Sequence, residues 1–142
     1  MRLDVARFAE EWNVEGHDVW AVGRILREDV DSAFAHDEFM DHPWEPDWSY
    51  DEHVRRIAYL MCAGWSDPIE IDVGIPSLGL YPTWPIQDGN HRFVAALFGG
   101  MAWIRAIASG EVGEIRRVTW RAPRRKAIDP AHMREALAGG AP

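Results

Sequence analysis

The sequence predicts an α+β fold, and three stretches predict it. Residues 85–100 read as a short apolar strand, a tight turn and a helix. Ile69, Ile71 and Val73 alternate with polar residues as a half-buried strand. Val54, Ile57, Ala58 and Met61 recur at helical spacing, so the segment before Gly64 is a helix with one apolar face.

Taken in order, Leu3, Val5, Phe8, Ala9 and Trp12 predict a short amphipathic helix over residues 2–12, stopped by Gly16. Residues 18–26 are open between strand and helix on their own pattern. Residues 28–52 hold ten acidic side chains, no Lys or Arg, and Pro43 and Pro46, so a largely solvated loop is expected there. Ser49 or Asp51 can cap the following helix, in which Cys62 is expected to be a buried, inert thiol. After the Ile69–Val73 strand comes a Gly/Pro-rich loop over residues 74–82, and residues 84–87 form the strand that feeds the turn. Asp88-Gly89 is a strong turn dipeptide, because glycine alone takes a positive φ without steric cost. Asn90 suits the N-cap of the next helix, where Phe93, Val94, Leu97 and Phe98 form an apolar stripe and Gly99-Gly100 a stop. Residues 103–108 predict another strand, residues 112–120 a strand or short helix, and residues 130–137 a helix with Pro near its start. The Gly139–Pro142 tail is expected to fray.

A chain of 142 residues with 47% hydrophobic content and eight Trp fits one packed domain. No apolar run approaches the roughly 20 residues of a membrane span. A single cysteine and the absence of a signal-peptide core at the N-terminus point to the cytoplasm. Charge is unevenly spread: residues 1–115 carry 21 acidic against 8 basic side chains, residues 116–142 carry 7 basic against 2 acidic. That acidity argues against broad, non-specific DNA binding, which needs a basic face to displace counterions. Arg116, Arg117, Arg121, Arg124, Arg125 and Lys126 still make a local basic patch, read as a nucleic-acid contact, as a solvated strand and loop, or as a partner for the acidic half of a neighbouring copy.

The run Asp88-Gly89-Asn90-His91-Arg92-Phe93, followed by Ala95-Ala96 and preceded by an apolar strand, resembles the signature turn of the ParB/sulfiredoxin superfamily. The likeness extends to the helix ending at Gly64, to a "Pro-Ile-x-Val"-type strand at Pro68–Val73 and to the strand at residues 101–109. It covers residues 41–110, with residues 1–40 as an N-terminal helix/strand extension and residues 111–142 as a basic C-terminal segment. The resemblance implies a small mixed β-sheet with packed helices, tips residues 18–26 toward a strand, and implies a nucleotide phosphate or phosphate ester at the turn. ATP or CTP with Mg²⁺ are the implied cofactors. NTP hydrolysis, phosphoryl transfer and DNA phosphodiester cleavage are the implied activities. Sulfiredoxins carry a catalytic Cys where this chain has Asn90, so sulfinic-acid reduction is not expected. The partitioning switches need a larger DNA-binding domain after this fold, so that role is not expected either.

The residues themselves point the same way. A helix N-terminus offers unpaired N–H groups and a positive dipole end to an anion. Gly89, Asn90, His91 and Arg92 are therefore the candidate phosphate ligands, although an ordinary capped helix with solvated His and Arg has the same sequence. His91 is the candidate proton donor, since an ordinary imidazole pKa near 6.5 leaves either state accessible. Asp88 either holds Mg²⁺ or accepts bonds within its own turn. Glu45 is the candidate general base or metal carboxylate in a loop that is otherwise solvated. Trp44, Trp48 or Trp84 could stack on a base. His36 and His42 lack an established metal-ligand spacing. The competing class is a non-enzymatic acidic protein of phage or plasmid type, whose residues 28–52 occupy the basic cleft of a host partner.

Overall fold

The computed structural model describes residues 1–124. Its elements are β1 (Arg2–Asp4), α1 (Val5–Trp12), α2 (Arg27–Ala35), α3 (Tyr50–Ala63), β2 (Ile69–Asp72), β3 (Ile86–Asp88), α4 (Asn90–Phe98), β4 (Trp103–Ser109) and α5 (Val112–Arg117). The four strands form one mixed sheet in the order β1-β4-β2-β3. β2 and β3 pair antiparallel, α4 then crosses over, and β4 returns parallel to β2, as a parallel pair requires a crossover. β1 closes the far edge antiparallel to β4, with Leu3 opposite Ile104.

The core lies on one face of this sheet. β4 alternates buried Ile104 and Ala106 with exposed Arg105 and Ile107, so the other face is open. On the covered face α4 packs against α1, α3, β2 and β4, and is the central helix. Phe93 of α4 and Phe8 of α1 meet edge to face at 5.2 Å, both with no exposed surface. α3 is held at its start by a reciprocal cap: Ser49 Oγ accepts from the Glu52 amide, and Glu52 Oε1 accepts from the Ser49 amide. Ser49→Ala is expected to lower stability by about 1 kcal/mol, measured by urea denaturation. An unchanged midpoint would show that the cap is redundant.

Several expectations need correction. Residues 2–12 are not one helix: Leu3 belongs to β1, and Asp4, whose side chain accepts from the Arg7 amide, starts the helix only at Val5. Residues 18–26 form no strand, because Asp18 Oδ1 accepts from the Val22 amide and Ala21 and Gly23 take positive φ, folding the segment into turns. Residues 28–52 are loop from 36 to 49, as expected, but not throughout. α2 forms before that loop because Val30 and Ala33, one helical turn apart, bury against α3, and because Glu28 and Asp29 suit a helix N-terminus. Cys62 is exposed, on the outward side of the last turn of α3. Residues 112–117 are helical, and Thr119 then bridges back to Leu3. The expected helix at 130–137, the tail, and Arg125 and Lys126 lie outside the described residues. Among the described residues no helix is long and apolar enough to cross a membrane.

Candidate functional site

The site is built where β3 turns into α4. Gly89, at φ 98°, is the N-cap, one residue earlier than the sequence suggests, and it brings no capping side chain. Asn90 is instead the first helical residue. Its Oδ1 accepts from Trp84 Nε1 at 2.7 Å and its Nδ2 donates to the Ile86 carbonyl at 3.3 Å, which staples the turn to β3. With the side chain so engaged, the backbone N–H groups of Asn90, His91 and Arg92 have no acceptor among the described residues. They point out of the end of a nine-residue helix.

Arg92 is more committed than its sequence position suggests. Its guanidinium donates to the carbonyls of Asp67 at 2.9 Å and Pro68 at 3.2 Å, and to Asp88 Oδ2 at 3.0 Å. It straps α4 to the loop before β2 while its charge stays at the helix end. Asp88 is exposed and serves as that strap's anchor.

His91 turns toward α3, where its Nε2 lies 2.8 Å from Nδ1 of His53. The two rings are near-parallel, at 14°, and the indole of Trp20 stacks on both, with centroids 4.5 and 4.3 Å away. Trp48 meets both imidazoles edge on. Burial first, then the neighbouring His53 and the positive charge of Arg56, push the His91 pKa down to about 3. Burial lowers His53 as well, against a weaker upward pull from Glu52. Both rings are therefore neutral at pH 7, which corrects the expectation that His91 samples either state. One ring donates to the other, and the pair's outer nitrogens, His53 Nε2 and His91 Nδ1, have no partner among the described residues.

Arg56 stands one helical turn after His53. One guanidinium nitrogen donates to the Met40 carbonyl at 3.3 Å, and the group lies 5.3 Å from the Tyr59 ring. It forms no ion pair among the described residues. Partial burial lowers its pKa, opposed by Tyr59 and Asp41.

These groups line one groove of about 1240 Å³ that runs from the α4 N-terminus past Trp20 and Trp48 to the end of α3. A second cavity, about 550 Å³ and mostly apolar, lies between the end of α3 and the start of β4 and shares Leu60 and residues 64–67 with the groove. Of the indoles proposed to stack on a base, Trp48 is buried against the histidines. Trp84 is stacked on His17, and Trp44 is half exposed on the groove wall. Glu45 is exposed and is not on that wall, where Asp41 and Asp47 stand instead. Among the described residues no three His, Cys, Asp or Glu gather as a metal site. The basic patch is elsewhere, and Arg117 in it is tied to Glu11 and Glu114. Within the acidic stretch, Asp29 accepts from the Tyr50 hydroxyl and Glu52 caps α3, so two of its carboxylates hold the fold, while the exposed Asp51 lies 3.0 Å from Arg55.

Sequence reasoning missed His53, Arg56 and Trp20. The signal for the first two was present: His53 falls beside Val54 and Ile57 on the inward face of α3, and Arg56 follows at i+3. Trp20 sits in an irregular segment whose pattern carries no such signal. No protein-family model, curated protein or solved structure matches the chain.

Proposed function

We propose that this chain is a ParB/sulfiredoxin-like domain that binds a nucleotide or phosphate ester in the groove at the start of α4. The observation that carries this reading is a convergence. Three unbonded helix amides, the Arg56 guanidinium without a carboxylate partner and the exposed end of the Asp88–Arg92 strap face one groove with an aromatic wall. An anion there gains backbone N–H bonds, the helix dipole and a charge-assisted bond. The exposed indole of Trp44 offers a π-face to a base. The order α3, β2, β3, turn, α4, β4 agrees with the resemblance of the sequence to that superfamily. Hydrolysis or phosphoryl transfer on the bound ester is the reaction class that such positioning serves. ATP and CTP with Mg²⁺ are the first ligands to test.

The test is thermal stability with ATP, CTP, ADP and GTP in the presence of Mg²⁺. A nucleotide at about 100 times its dissociation constant is expected to add roughly 2.7 kcal/mol to the native state. Arg56→Ala is expected to lose that gain and Arg121→Ala, on the remote patch, to keep it. If no nucleotide stabilises the wild type, or if Arg121→Ala loses the gain as fully as Arg56→Ala, the groove is not the binding site.

A further inference from the structure

The His53–His91 pair is not explained by anion binding through amides and arginine alone. His53 is 2% exposed, yet its Nε2 has no partner among the described residues, and the whole pair lies on the groove wall. His53 Nε2 is not a buried orphan, since Arg55 Nε alone is that among the described residues, so this nitrogen opens onto the groove and can meet a ligand there. Resting on the phosphate reading above, we infer that the groove takes a phosphate monoester dianion together with one proton, which the His53–His91 pair receives as the ligand arrives.

The chemistry follows from counting protons on the pair. Two neutral imidazoles joined through His53 Nδ1 and His91 Nε2 hold one proton between them and one on an outer nitrogen. They present one donor and one acceptor. A third proton goes to the remaining outer nitrogen and turns both outer positions into N–H donors. The central 2.8 Å hydrogen bond survives in either state, so no ring has to move. The terminal oxygens of a phosphate monoester dianion only accept, and the protonated pair matches them where the neutral pair sets a lone pair against them.

Electrostatics supply the switch. With the groove empty, burial, Arg56 from α3 and the positive end of α4 disfavour a positive charge on the pair. Of the carboxylates on the wall, Asp41 and Asp47 come from the loop before α3, where Asp41 acts on Arg56, and Asp88 is paired with Arg92. Glu52, one residue from His53, is held in the α3 cap and pulls the His53 pKa upward, less strongly than burial lowers it. The 19–22 segment brings only Val19, Trp20, Ala21 and Val22. Trp20 and Trp48 screen the rings from water, which strengthens each of these effects. A dianion among Arg56, Arg92 and the amides reverses the local potential and draws the proton in. A diester carries one charge and no second ionisation, so its pull is weaker. The ligand class is thus a terminal phosphate, with its second ionisation near pH 6.

Imidazole ¹⁵N and backbone amide NMR on the full chain tests this at about pH 7.5, where a free histidine is mostly neutral. Inorganic phosphate is the monoester probe and dimethyl phosphate the diester probe. Inorganic phosphate is expected to shift the Asn90, His91 and Arg92 amides and to move one ring of the pair from the neutral to the imidazolium pattern. Dimethyl phosphate is expected to shift the amides and leave both rings neutral. If phosphate shifts the amides while both rings stay neutral, the proton-linked inference is overturned and the phosphate site stands. If both probes convert a ring alike, selection for the dianion is overturned. If phosphate moves neither amides nor rings, the phosphate reading and this inference fall together.

Discussion

Gly89→Ala is expected to lower stability by about 3 kcal/mol or more, close to loss of the folded state for a domain of ordinary marginal stability. Two costs combine. At φ 98° a Cβ clashes with its own backbone, which costs about 1–2 kcal/mol. The added methyl would also overlap Ile69 Cγ2 and lie 2.8 Å from Ile69 Cβ. Ile69 cannot give way, since it is fully buried in β2, paired in register with Ala106 of β4. Nor can the turn shift outward freely, because Arg92 ties it to Asp67 and Pro68, and Asn90 ties it to Trp84 and Ile86. Gly79→Ala is the comparison: it also has positive φ, at 68°, but nothing lies within 4 Å of its would-be Cβ. It is expected to cost only about 1 kcal/mol. Denaturation midpoints of the two variants decide the matter. Equal losses would mean that the turn is not wedged against β2, and that the open amides of α4 are not held in place by the core.

How far the fold was legible follows from how local each cause is. β2 was readable because Ile69, Ile71 and Val73 alternate and all three bury. α3 was readable because Ser49 and Gly64 sit at its ends and Val54, Ile57 and Ala58 recur at helical spacing between them. α2 was hidden because only Val30 and Ala33 bury along it, too few to stand out among acidic neighbours whose charge looks like a loop. β1 was hidden inside a helical pattern, since Leu3 fits either period and only its pairing with Ile104 decides. The same division runs through the site. The turn and the helix start were visible in Asp88-Gly89-Asn90, but the duties of the side chains were not. Arg92 became a strap because the Asp67 and Pro68 carbonyls lie beside it, and those are brought there by tertiary packing. Asn90 lost the N-cap because Trp84 and Ile86 offered it better partners. His91 found His53, 38 positions away, through the packing of α3 on α4.

That same pair gives the second large effect, a steep loss of stability in mild acid. The unfolded His91 has a pKa near 6.5 and the folded one is held down to about 3. Between these values the unfolded chain binds more protons than the native state, so stability falls as pH falls and is flat above the unfolded pKa. From pH 7 to pH 5 His91 alone is expected to remove about 2 kcal/mol, and His53, shifted in the same direction, adds to it. Urea denaturation at the two pH values measures the loss, with His91→Gln expected to show a smaller one. If wild type and His91→Gln lose stability equally, the imidazoles are not held neutral in the folded protein. With the proposed proton-linked phosphate site, the sign of this effect depends on ligand. Once a dianion raises the pKa of the pair in the folded state, the native protein is no longer the poorer proton acceptor. Inorganic phosphate is therefore expected to restore more stability at about pH 6 than at pH 8, although less of it is dianionic there. A nucleotide or phosphate that only screened Arg56 and the helix end would stabilise the protein less in acid, because its own charge falls.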